Sequence, residues 1–121
     1  MSTIKVTTIQ DTAGGNSSTS AEIFDGRAKA WCSWSSSTGV PTITNDFNVN
    51  TLGDLGTGYV RVNFTSALSS SSYAVTCGNS LGNSATTQVL DNFGTGSFDV
   101  TLRYDGGTAY DVAYNSVIVM E

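Results

Sequence analysis

The chain has 121 residues, no His, and five Lys and Arg against ten Asp and Glu, for a net charge of −5. That length suits one domain, and so few cations cannot neutralise a phosphate backbone or an anionic bilayer, which argues against nucleic acid or membrane as partner. Only 12% of residues are charged, roughly half the ~25% of ordinary domains, and Ser, Thr, Asn and Gly take their place, a composition suited to strands and tight turns.

Thr3 to Ile9 alternates, with Ile4 and Val6 on one face and Lys5 and Thr7 on the other, and reads as a strand. Asp11 to Ser20 has no apolar anchor and reads as a flexible tether. Ala21 to Arg27 fits either a helical turn ended by Gly26 or an extended approach. Ala28 to Ser35 places Ala28, Ala30, Cys32 and Trp34 on one face and Trp31 on the other, so a strand covered on both sides is expected. Pro41 precedes a segment read as an edge strand, where a missing N–H is tolerated. Phe47 to Leu52 and Tyr59 to Phe64 alternate, separated by the turn-forming Gly53 to Gly58. Tyr73, Val75 and Cys77 line a further strand, Thr86 to Leu90 a short one. Phe98, Val100, Leu102 and Tyr104 alternate with outward Asp99, Thr101 and Arg103, and Asp105-Gly106-Gly107 signals a hairpin. Tyr110 to Met120, nearly continuously apolar from Val117, reads as a central or interface strand.

Seven to nine short strands separated by turn clusters predict an all-β fold, a β-sandwich of jelly-roll-like kind over residues 21–121, with residues 1–20 as a short N-terminal arm on its tether. A strand with no partner in its own body exposes unpaired backbone groups. Ile4, Val6 and Ile9 are therefore assigned to an assembly contact.

Little in the chain suggests chemistry. Without His, the usual Ser–His–Asp and Cys–His arrangements and the commonest zinc ligand are missing. Of Asp46, Asp54, Asp91, Asp99, Asp105 and Asp111, most sit in turns or at strand ends, where carboxylates shape turns; a loop calcium site is the alternative, and no repeat supports it. No cofactor, metal or catalytic residue is assigned. Cys32 and Cys77 read first as buried thiols and second as a disulfide within or between chains. Tyr59 and Tyr110, beside Gly-rich turns, are the aromatic residues expected to be exposed for recognition. No apolar run reaches the ~18 residues of a membrane helix, and Met1 to Asp11 lacks the continuous apolar stretch of a signal peptide.

Met1 to Asp11 with Gly14-Gly15-Asn16, the stretch Gly26 to Trp31, Asn45-Asp46-Phe47-Asn48-Val49 and Gly56 to Ala67 together resemble the N-terminal parts of tail-fibre and related virion structural proteins of cyanophages and marine phages, over about residues 1–75. Cys32 and Trp34 depart from that pattern, and a long shaft is missing. The resemblance implies a homotrimer in the virion, contacting other virion proteins of the tail, baseplate or capsid. As a short tail fibre or adhesin, it would reach host surface polysaccharide through Gly53–Gly58, Gly78–Ser84 and Asp105–Tyr110. As a capsid decoration protein, it would clamp coat subunits with the N-terminal strand. A carbohydrate-active enzyme is the remote third reading.

Overall fold

A computed structural model describes residues 2–10, 12–14, 17–80, 86–104 and 107–121. Ten strands and one helix follow in chain order: β1 (Thr8–Gln10), β2 (Ser17–Thr19), α1 (Ser20–Asp25), β3 (Ala30–Ser35), β4 (Thr42–Phe47), β5 (Val49–Gly56), β6 (Tyr59–Phe64), β7 (Ala74–Asn79), β8 (Thr86–Asp91), β9 (Ser97–Tyr104) and β10 (Asn115–Met120). From β3 onward they form two four-stranded antiparallel sheets, β4-β3-β10-β7 and β5-β6-β9-β8. These are the two layers of a β-sandwich.

The core follows from period-2 alternation. Ala30, Cys32 and Trp34 of β3 and Val117 and Val119 of β10 face inward from the first sheet. Val60, Val62 and Phe64 of β6 and Phe98, Val100 and Leu102 of β9 face inward from the second. Phe64, Tyr73, Phe93 and Phe98 form an aromatic cluster with ring centroids 5.2 to 6.2 Å apart. The Tyr73 hydroxyl lies 3.0 Å from the Gly94 carbonyl and 3.2 Å from that of Ser97, so its polar tip is satisfied at the cluster's edge.

Four expectations are corrected. The jelly-roll-like connectivity is not the one found: β3–β4, β5–β6 and β8–β9 stay together as hairpins within a sheet rather than wrapping across the two layers. The strand expected over Thr3–Ile9 is only Thr8–Gln10, and it has a partner, pairing with Ser17–Thr19 from the stretch read as a tether. Phe47 to Leu52 is not one strand. Asn48, at φ +56°, turns the chain between β4 and β5 and so between sheets. Its side chain fixes that corner, donating to the Lys29 carbonyl (3.0 Å) and the Ser66 carbonyl (3.1 Å) while accepting from the Ser66 amide (2.8 Å). Asn tolerates this left-handed conformation better than most residues. Finally, β3 is covered on one face only, with Trp31 half-buried on the outside.

α1 forms where the sequence left helix and extended chain open. Thr19 and Glu22 make a reciprocal capping box, with the Thr19 amide donating to the Glu22 carboxylate at 2.7 Å and the Glu22 amide to the Thr19 hydroxyl at 3.1 Å. Gly26 ends the helix, as the sequence allowed.

Candidate functional site

Strand direction places the chain's features at two ends of the sandwich. The arm enters at the start of β3, beside the β4–β5 corner and the start of β7. Strands of six to eight residues separate that end from the other by about 20 Å at ~3.3 Å per residue.

Every described residue from Ser2 to Arg27 is exposed. Ile4 (87%), Val6 and Ile9 point into solvent, joined by Ile23 and Phe24 of α1. α1 buries no residue. A capped helix and a hairpin thus hold five large apolar side chains with no core beneath them. The arm meets the body around Phe24: Lys29 lies over its ring at 3.4 Å and Arg27 at 4.6 Å. A cleft of about 440 Å³ opens between Phe24 and Phe47, Thr65 and Leu68 of the body. From Phe47 the apolar surface continues across the outer face of the first sheet, because Phe47, Trp31 and Ile118 are cross-strand neighbours. Phe47 and Ile118 are each about half exposed. The next row, Asn45, Ser33, Ser116 and Gly78, is uncharged.

The outer face of the second sheet has different chemistry. Asp99, on the outward phase of β9, is completely buried. Arg61 grips it side-on, Nε to Oδ1 at 2.7 Å and Nη2 to Oδ2 at 2.9 Å. Tyr59 and Asn92 also donate to Oδ2, at 3.1 and 2.7 Å. Gly53, paired with Arg61 across the strands, leaves room for its stem, since a Cβ there would stand 3.3 Å from Arg61 Cβ. These hydrogen bonds, led by Arg61, hold the Asp99 carboxyl below the usual carboxylate range; the bond to Asp99 in turn raises the Tyr59 phenol. The network closes this face and occupies Tyr59, which is half-buried.

The far end gathers the loops named from sequence. Gly58, at φ +65°, donates to Asp111 Oδ1 at 2.8 Å and accepts from the Leu102 amide at 2.8 Å. A Cβ on Gly58 would stand 2.5 Å from the Tyr110 amide nitrogen. The Ser80 amide donates to the Tyr114 carbonyl and the Ser36 amide to that of Val112. So the 57–58, 79–80 and 107–114 segments meet there. Residues 81–84 of the Gly78–Ser84 loop, and Asp105 and Gly106, lie outside the described residues. Tyr110 is 45% exposed and packs edge-on to Tyr104 at 4.9 Å. The most exposed aromatic is one that sequence reasoning did not single out: Tyr114, at 69%.

Tyr114 lies at a second cavity, of about 420 Å³, lined also by Ser33, Trp34, Ser80, Asn115 and Ser116. Two of its lining residues carry the buried side-chain atoms that have no partner among the described residues, Trp34 Nε1 and Asn115 Oδ1.

The two cysteines are free. Both face Val117, from β3 and β7 on either side of β10. Two strand spacings, about 9.6 Å, separate them, beyond the Cα separation a disulfide spans, so an intrachain bridge is ruled out. Burial pushes the Cys32 thiol up to about 12 and that of Cys77 to about 11. No group of three or more His, Cys, Asp or Glu able to hold a metal ion occurs among the described residues.

No protein-family model, curated protein or solved structure matches this chain.

Proposed function

We propose that the chain is a non-enzymatic virion structural protein, a short tail-fibre or adhesin module that acts as a homotrimer. Its arm anchors it to a neighbouring copy or to another virion protein, and the opposite end of the sandwich meets the host surface. The observation that carries this reading is the two-ended distribution of features. Five uncovered apolar side chains, Ile4, Val6, Ile9, Ile23 and Phe24, stand at one end, and the Gly58, Ser80 and Tyr110–Tyr114 loops converge at the other. Large exposed apolar groups on a preformed scaffold suit burial against a partner. The uncharged row Phe47–Trp31–Ile118 continues the apolar surface and suits the depleted charge of an interface core. The sequence resemblance over residues 1–75 points the same way.

The β1–β2 hairpin also suits the second reading, a trimeric capsid decoration protein, because a short two-stranded hairpin has open edges that can extend a coat subunit's sheet. Phage particles purified from lysates in which the chain is made, labelled with an antibody against it, distinguish the two. Label at the tail in few copies supports the fibre reading, and label over the whole capsid in many copies supports decoration. Absence from the particle, or release of sugar from host polysaccharide by the pure chain, overturns both.

A further inference from the structure

We infer that the open edge of β7 receives residues Thr3–Val6 of a second copy as an added antiparallel strand. This rests on the homotrimer reading and deepens it by naming the surface on which the arm docks.

Four strands lie at sheet edges: β4, β5, β7 and β8. Open edges invite pairing with another chain, and folds guard them with charges, bulges or Pro. β4 carries Asp46 and a register break opposite Ser33–Trp34, β5 carries Asp54 and two register breaks, and β8 carries Asp91. β7, Ala-Val-Thr-Cys-Gly-Asn, has no charge and no Pro, and its pairing with β10 runs unbroken from Ala74 to Asn79. From Ala74 to Gly78, every second residue turns its N–H and C=O away from β10, on a side where no strand lies among the described residues. The core beneath is incompletely covered as well. Val75 and Cys77, facing inward opposite Val119 and Val117, stay half-buried, whereas Ala30, Cys32, Val117 and Val119 on the two central strands are exposed by no more than 1%.

The arm supplies the matching segment. Thr3–Val6 belongs to no strand in the single chain, and Ile4 and Val6 stand in solvent two residues apart, the spacing of Val75 and Cys77. β7 begins at the end of the sandwich where the arm enters, since Val75 and Ala30 both pair with Val119. A strand laid along β7 must leave at that end to rejoin its own hairpin, so it runs antiparallel. Alternation then sets the register: Val6 opposite Val75, Lys5 opposite Thr76, Ile4 opposite Cys77 and Thr3 opposite Gly78. Ile4 and Val6 close the flank of the core. Lys5 faces out and guards the new edge, a common use of lysine. Within one chain the segment lies uncovered, so a second copy provides it. Each copy gives one arm and takes one, a head-to-tail contact that three-fold rotation closes.

Lys5→Cys with Thr76→Cys, both at exposed positions, places two thiols on opposed residues whose α-carbons would lie about 4.5–5.5 Å apart, within disulfide reach. The full chain is oxidised and run on denaturing gels without reductant. A covalent trimer is expected, and it should be absent from either single variant, from the wild type with its Cys32 and Cys77, and from Lys5→Cys combined with Asn45→Cys on the guarded edge β4. As a second measurement, Thr76→Lys sets like charges opposite each other and is expected to weaken the trimer at least about threefold by sedimentation, with Lys5→Glu in the same chain restoring it. The inference is overturned if the chain sediments as a trimer but Lys5→Cys with Thr76→Cys gives no covalent trimer, if the bridge closes within one chain, if the Asn45→Cys control cross-links equally, or if Lys5→Glu fails to rescue. A trimer without the bridge leaves the homotrimer reading standing; a monomer at every concentration overturns both.

Discussion

Asp99 lies on the outward phase of β9, yet no part of it is exposed, because Arg61, Tyr59 and Asn92 converge on it from β6 and from the turn after β8. Its alternation was legible in the sequence; its burial was not. The cover comes from residues seven to forty positions away, and Gly53 matters only through the space it leaves. A buried carboxylate in a bidentate grip is costly to break. Asp99→Asn is expected to destabilise the chain by about 1–3 kcal/mol, reduced from the fully buried case because Arg61 is partly exposed. Because folding lowers the Asp99 pKa, its contribution is present above the unfolded carboxylate value and is lost as pH falls through the folded one. Denaturation midpoints should therefore hold near neutrality and fall below about pH 4, and Asp99→Asn should flatten that fall; an unchanged acid slope would contradict this role. The thiols give a second prediction. With Cys32 near 12 and Cys77 near 11, both should resist alkylation at pH 8 in the folded chain, Cys32 most of all, and react on unfolding. Rapid labelling of Cys32 in native conditions would show the strand to be less buried than described.

At the scale of elements, the strands with clean alternation, β3, β6 and β9, were readable because one face of each meets the core. The corners were not, since they depend on the conformation of one residue. Asn48 interrupts what reads as a continuous alternation from Phe47 to Leu52, and nothing in composition marks it as the residue that carries the chain to the other sheet. Gly58 was legible as part of a glycine-rich turn, but the approach of Tyr110 and Leu102 to its α-carbon was not. Gly58→Ala has to accommodate both a left-handed φ and a clash with backbone, so a loss of about 3 kcal/mol is expected by chemical denaturation. Asn48→Ala forfeits three hydrogen bonds and a favoured left-handed residue, and a loss of about 2 kcal/mol is expected. A neutral result at either position would mean that the corner re-forms without it. The arm was misread in a related way. Ser17–Thr19 looks like linker by composition, yet the turn before it and the capping box after it make it the partner of β1.

At the scale of the whole molecule, composition and turn spacing made an all-β sandwich legible, whereas hairpin order and the clustering of loops depend on which strands pair. The tyrosine choice illustrates the limit. Tyr59 and Tyr110 neighbour glycine turns, but Tyr59 is taken up by Asp99, while Tyr114 sits in an ordinary-looking stretch before β10 and is the most exposed ring. We propose that the arm's uncovered apolar side chains, with the uncharged outer row of the first sheet, hold copies of the chain together. Sedimentation equilibrium of the full chain tests it most directly. The expected particle has three times the chain mass of 12.6 kDa, and Ile9→Asp with Phe24→Asp reduces it to monomer while the near-ultraviolet circular dichroism of the sandwich is retained. A monomer at every concentration, or a trimer indifferent to both substitutions, would contradict it.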